Sequence, residues 1–301
     1  MLTQELMREV RRLQVRTRRR VEGLFAGEYH TAFKGRGIEF ADVREYEPGD
    51  DVRAIDWNVT ARTGRPFIKR FVEERELSVV LAVDLSGSGE FSSSTAPGAR
   101  LKSRIAIEAA AALALSASSN HDRVGLCLFT SEVELFLAPN KGRANTLRLL
   151  RELLSFRPRA RGTDIAGAVL RLGHVLKRRG TIFLISDFLS PGGARRFETP
   201  LRLLARKQEV IALHVTDPRE RELPRVGLVE VLDAESGERR LLDTSSRRAR
   251  EDYSRAARAR EAELAALFSR AGIDRVELST ARPFIQDLVR YFQLRERRRS
   301  A

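Results

Sequence analysis

Asp84, Ser86 and Ser88 stand at alternate positions in Asp84-Leu85-Ser86-Gly87-Ser88, and two further oxygen donors, Thr163 and Asp187, follow far downstream. Side chains at alternate positions of an extended chain leave on one side, so the first three form a short row of one carboxylate and two hydroxyls. Five hard oxygen groups of this kind, brought together, suit Mg2+ or Mn2+, which take octahedral oxygen coordination and retain water. Each residue also has a plainer role. Ser and Asp near a strand end are common turn formers. Thr163, in Arg161-Gly162-Thr163-Asp164, reads alone as a helix cap, and Asp187 as a loop residue. The metal reading rests on all five occurring in order, each where the chain returns to the same sheet edge.

The elements that must position them follow from periodicity. Residues 77–85 (LSVVLAVDL) form a near-continuous apolar, β-branched run, the pattern of a buried parallel strand. An Ala-rich helix is expected over 103–120, with Ser103 capping its start and Asn120 its end. Strands follow at 124–129, at 132–137 as an antiparallel neighbour, at 181–186 (TIFLIS), at 210–215 and at 275–278. Helices are expected at 145–156, 164–178, 194–207, 246–271 and 283–298, and a hairpin insertion near 225–243 turns at Glu235-Ser236-Gly237-Glu238. Strands alternating with helices predict an α/β fold: a doubly wound, mostly parallel sheet with helices on both faces. Such sheets bind ligands at the carboxyl ends of their strands, near the switch point, which is where Asp84 and Asp187 fall.

The first 76 residues have a different texture. Leu2, Leu6, Val10, Leu13 and Val21 make an apolar stripe over 1–24 with arginines around it, the pattern of an amphipathic helix packed on its own protein. Residues 35–76 are charged and turn-rich: Glu47-Pro48-Gly49-Asp50 suits a tight turn, and Thr63-Gly64 marks another. A small β-rich subdomain is expected there, with Trp57, the only tryptophan, as its core anchor. The run Glu73-Glu74-Arg75-Glu76 reads as internal salt bridges or a solvated face. The division is therefore 1–76 for the N-terminal helix and subdomain, and 77–301 for the α/β domain.

Composition narrows the function. The net charge of +14 comes from 55 basic against 41 acidic residues. Arginine supplies nearly all of the positive charge along the whole chain, with no interleaved aromatics to stack on bases, so solvated helix faces explain it better than nucleic-acid binding. One cysteine, Cys127, excludes an intrachain disulfide and a Cys-based zinc cluster, and its apolar surroundings make it a buried structural thiol. No apolar secretory segment and no run of about 20 apolar residues is present, so a cytoplasmic protein is expected. Ser86 occupies the position where a phosphatase forming an aspartyl-phosphate needs a second Asp. A phosphate-binding Gly-x-x-x-x-Gly-Lys, a dinucleotide-binding Gly-x-Gly-x-x-Gly and a Gly-x-Ser-x-Gly elbow are absent. The four histidines, His30, His121, His174 and His214, are isolated in sequence.

Asp-x-Ser-x-Ser followed by a distant Thr and a distant Asp resembles the metal-ion-dependent adhesion site of von Willebrand factor A domains. The resemblance implies Ser86, Ser88 and Thr163 as direct or near-direct ligands, with Asp84 and Asp187 binding directly or through water. It also implies a coordination position completed by a carboxylate of a partner protein. The segment from Gly35 to Ser88, with GTDIAGA at 162–168 and ISDF at 185–188, is similar to the bacterial domain-of-unknown-function family 58. That family often has Met after the second Ser, where this chain has Gly89. Membership would imply work beside a MoxR-type AAA+ ATPase. Many members carry transmembrane helices, and this chain resembles the soluble branch. The expectation is a non-enzymatic, metal-dependent protein-binding module. It would act as an adaptor in the assembly or maturation of protein complexes, with Mg2+ or Mn2+ joining it to an acidic residue of the ATPase or its client. The alternative is a metal-dependent phosphoester hydrolase using the same oxygen cluster; such an enzyme would need a general base or a second metal nearby, and the sequence nominates neither.

Overall fold

The structure, a computed structural model, describes residues 26–33, 39–72, 77–91, 101–232 and 237–300. The amphipathic helix expected over 1–24, the run 73–76 and the first half of the 235–238 turn lie outside the described residues. The described residues divide into two compact units, Phe33–Leu77 and the remainder.

In the larger unit six strands form one sheet. They are β3 (Ser78–Asp84), β4 (Arg123–Phe129), β5 (Val133–Asn140), β6 (Thr181–Ser186), β7 (Glu209–Thr216) and β10 (Asp274–Ser279), in the spatial order β10-β7-β6-β3-β4-β5. All neighbours are parallel except β4 and β5. β3 and β6 lie side by side at the centre, and the chain leaves them in opposite directions across the sheet. Their tips are therefore the switch point of the expected mixed α/β architecture.

Strand alternation fixes two cores. Val80, Ala82, Cys127, Phe129, Ile182 and Leu184 face one side. There they pack with α5 (Ile165–Val175), α6 (Arg195–Lys207) and α7 (Arg247–Ala271) through Ile165, Leu172, Phe197, Leu201, Leu264 and Phe268. The intervening Val79, Leu81 and Val83 face the other side and are fully buried. That side is covered by α3 (Lys102–Ser119), which packs on β3 and on α4 (Arg143–Ser155). The alanines of α3, from Ala109 to Ala112, are wholly buried, so their small size sets how near the helix lies to the sheet. The last helix, α8 (Phe284–Ser300), packs on β10. Its Phe292 meets Tyr29 of α1 (Ala26–Phe33) edge-on, with ring centroids 5.7 Å apart. The insertion is an antiparallel hairpin of β8 (Leu228–Leu232) and β9 (Arg239–Asp243).

One of the two cap assignments for α3 changes. α3 starts at Lys102 after Leu101, so Ser103 lies inside the first turn and caps nothing. Asn120 does end the helix, but His121 takes the left-handed conformation at φ 59°.

The smaller unit pairs β1 (Glu39–Glu45) with β2 (Phe67–Val72) in an antiparallel ribbon. The expected turn at 47–50 closes through Asp50 N–H to Glu47 O, with Gly49 at φ 114°. The ribbon's two strands are joined through α2 (Trp57–Thr63), which sequence patterning did not indicate. Asp56 starts it by accepting from Asn58 N and Val59 N, and Gly64 ends it at φ 74°. Thr63-Gly64 is thus a helix stop rather than a strand turn. Trp57, in the first turn of that helix, is 68% exposed and anchors no core. Ile55 and Ile68, bridged across the ribbon, hold the buried positions instead.

Candidate metal centre

β3 delivers Asp84 to the rim because the five preceding residues, Val79 to Val83, are buried apolar side chains locked in parallel register with β4 and β6. Beyond Asp84 the chain turns at once. Ser86 precedes a short 3-10 turn, Gly87–Glu90, which holds Ser88. Ser86 Oγ and Ser88 Oγ lie 3.1 Å apart, one donating to the other. A Cβ at Gly89 would sit 3.2 Å from Ser103 Cβ, so the missing side chain lets this turn close against the start of α3.

β6 supplies the other carboxylate. Ser186 Oγ donates to Asp84 Oδ2 at 2.6 Å and accepts from Phe188 N–H at 2.9 Å. Asp187 Oδ1 accepts from Leu189 N–H at 3.0 Å. Phe188 is left-handed at φ 55°, which costs a non-glycine residue about 1–2 kcal/mol. Its ring is held by Phe197, Phe268 and His214. Burial, then the nearby Arg275, pushes His214 down to about 4. The neutral ring donates through Nε2 to the Asp187 carbonyl at 3.1 Å.

Asp84, Ser86, Ser88 and Asp187 line one small cleft together with Gly89, Lys102, Ser103 and Ser186. Its volume of about 10 Å³ has room for one water-sized particle. Thr163 does not line the cleft. It is buried in the loop beside it, whose Arg161 carbonyl accepts from Gly87 N–H at 2.7 Å and whose Asp164 N–H donates to Thr130 O at 2.8 Å. Asp164, not Thr163, caps α5, through Gly167 N–H.

Lys102 is the residue that motif reading missed. It is 2% exposed, and its Nζ donates to Asp187 Oδ2 at 2.6 Å and to Glu220 Oε1. Glu220 ends the 3-10 turn Pro218–Glu220 after β7, and its other oxygen accepts from Asp217 N–H. Burial disfavours the ammonium, but Asp187 and Glu220 outweigh it and hold Lys102 above its ordinary value. Only six of the 55 basic residues are lysines, so a lysine just ahead of an alanine-rich helix was the available signal. A lysine tip is compact enough for a closed cleft where a guanidinium fork is not.

The donor set fits a hard divalent cation. Two carboxylates, Asp84 and Asp187, and the hydroxyls of Ser86, Ser88, Ser103 and Ser186 line the cleft beside one ammonium. Burial, with Asp187 adding repulsion, pushes Asp84 up to about 7. A carboxylate this buried, bonded by a hydroxyl and an amide and set near a second carboxylate, is favoured in its protonated form, and the Ser86 and Ser88 hydroxyls stand beside it.

The sequence matches the family described as "Protein of unknown function DUF58" over residues 42–263. The chain belongs to DUF58. It is 34% identical over 295 residues to the uncharacterized protein Rv1480 of Mycobacterium tuberculosis (strain ATCC 25618 / H37Rv), covering 97% of this chain and 90% of that one. The figures are the same for the uncharacterized protein Mb1516 of Mycobacterium bovis. Among solved structures, the conserved hypothetical protein BatB of Bacteroides thetaiotaomicron aligns with a TM-score of 0.44 at 14% identity, over 73% of this DUF58 chain and 99% of that one. An aerotolerance-related membrane protein of Bacteroides fragilis aligns with a TM-score of 0.47 at 14% identity, over 74% and 99%. Among the described residues of this chain, no helix is long and apolar enough to cross a membrane.

Proposed function

We propose that this chain is a metal-dependent protein-binding module. In this reading the α/β domain is of the von Willebrand factor A type, and the cleft holds Mg2+ or Mn2+ for an acidic residue of a partner. The observation that carries the reading is the meeting of Asp84, Ser86, Ser88 and Asp187, from two strand tips about a hundred residues apart in sequence, on one small cleft lined by carboxylates and hydroxyls. Ser86 and Ser88 would hold the cation directly, and Asp84 and Asp187 directly or through water. Thr163 lies in the loop whose Arg161 carbonyl accepts from Gly87 N–H, and would join the set through that loop. The bound cation would supply an electrophilic site for an incoming carboxylate. With Ser86 and Ser88 hydroxyls making up half of that ligand set, the cation keeps most of its charge and gains much from one more anion.

Resemblance at the motifs, not geometry, supports the choice of partner: a MoxR-type AAA+ ATPase or its client, with this chain as a cytoplasmic adaptor in the assembly of protein complexes. The test is affinity capture of the full chain with a candidate ATPase in Mg2+ and in EDTA, beside Asp84→Ala. Capture in Mg2+ only, lost in the variant, is the expected result. Capture indifferent to EDTA and to Asp84→Ala overturns the reading, and metal-dependent phosphoester turnover by the same preparation would support a hydrolase instead.

A further inference from the structure

Lys102 carries an inference that rests on the metal-binding reading of the cleft and goes beyond it. Its ammonium lies 2.6 Å from Asp187 Oδ2, the oxygen left free when Oδ1 accepts from Leu189 N–H. A cation drawing on that oxygen and the ammonium compete for the same lone pairs, and two positive charges this close repel in a setting where water screens little. Displacing a buried lysine would ordinarily strand an unpaired charge, which is strongly destabilising. Here a second anchor exists. Glu220 accepts from the same Nζ and belongs to a different element, the capped turn Pro218–Glu220, which contributes no residue to the cleft's lining. Asp217 N–H fixes the carboxylate of Glu220 at 3.0 Å, so the anchor stays when the other bond is broken.

We infer that Lys102 is a built-in competitor for the divalent cation: it neutralises Asp187 while the cleft lacks metal, and moves onto Glu220 alone when metal binds. Lys102 thereby sets the affinity of the cleft. It keeps Asp187 from acting as a full anionic ligand until the cation is strong enough, or well enough assisted by a partner's carboxylate, to take it. A weak site of this kind holds metal and partner together more readily than either alone.

The experiment is Mn2+ binding to the full-length chain, read by electron paramagnetic resonance of the free ion, for wild type, Lys102→Met and Asp84→Ala. Lys102→Met keeps the length of the side chain and removes its charge. It is expected to bind Mn2+ about tenfold more tightly than wild type, by the same near-charge arithmetic that moves a carboxylate's pKa by a unit or more. Wild-type binding that Asp84→Ala abolishes and Lys102→Met leaves unchanged or weakened overturns the role of Lys102 while leaving the metal site standing. No binding by wild type or by Lys102→Met overturns both. Should Lys102→Met not fold, as judged by circular dichroism, a crystal structure of the wild type in MnCl2 decides. Nζ more than about 4 Å from Asp187 Oδ2 and still on Glu220 supports the exchange; Nζ still hydrogen-bonded to Asp187 beside bound Mn2+ overturns it.

Discussion

Two stretches of the same sheet rim treat their carboxylates in opposite ways. At the tips of β3 and β6, Asp84 is met by the Ser186 hydroxyl and the Ser86 amide, and it is pushed up to about 7. At β10, Glu277 is met by the Arg221 guanidinium at 2.8 Å, with Arg275 at 3.6 Å. Burial opposes its charge, yet the Arg221 bond holds Glu277 below its ordinary value. Nearby, Arg275 also pairs with Glu261, and Arg282 with Asp287. In a chain this rich in arginine, guanidinium is the default partner of an acid, and the described surroundings of Asp84 depart from that default. The difference separates acids paired with a guanidinium from one met by hydroxyl and amide groups, the kind the proposed metal site would need.

The largest expected contrast is in cation affinity. Asp84→Ala should weaken Mn2+ binding roughly 100-fold or more, whereas Glu277→Gln should leave it within about twofold; isothermal titration calorimetry of both variants decides. Equal losses would erase the distinction between the two rims. Next comes thermal stability: Mg2+ at about 100 times its dissociation constant should raise Tm by about 5–10 °C over EDTA. The shift should survive Glu277→Gln and vanish in Asp84→Ala, as followed by scanning calorimetry. In EDTA, stability should also depend on pH through Asp84. The folded chain keeps this proton up to about pH 7, while the unfolded chain loses it near 3.8. Its contribution is therefore intact at low pH and lost as pH rises from about 4 through 7, at up to about 1.4 kcal/mol per pH unit. Urea unfolding at pH 5 and pH 8 measures the slope, and Asp84→Asn should flatten it. The smallest effect is the stability cost of Glu277→Gln itself. Glu277 and Arg221 are both partly exposed, so about 1 kcal/mol or less is expected from the same urea titrations.

How much of this the sequence disclosed depends on how local each signal is. Residues 181–186 form β6 as the apolar run predicts, and β3 trims the predicted run by a residue at each end, because buried parallel strands are written as unbroken β-branched stretches. Asp84, Ser86, Ser88 and Asp187 were legible as a group, since each abuts such a run. Thr163 was placed in the right loop, but it sits beside the cleft rather than on it, because the bond from Gly87 to Arg161 fixes backbone, which no residue code announces. Glu220 was invisible, and Lys102 offered no more than its rarity as a lysine. Their pairing spans 118 residues, and each taken alone looks like solvated charge. Trp57 misled for the converse reason: a large aromatic is usually buried, but Asp56 placed it at the start of a helix in a ribbon whose inward positions were already filled by Ile55 and Ile68.

The left-handed turn at Phe188 has one more consequence. Its ring is wedged among Phe197, Phe268 and His214, so the neighbouring Asp187 is bolted to the hydrophobic interior instead of swinging on a pliant loop. A carboxylate fixed in advance gives up little conformational freedom when it captures an ion. On the proposed reading, cation association at this end of the cleft is limited by desolvation and by the exchange of one side chain's ion pair, with the backbone already at its destination.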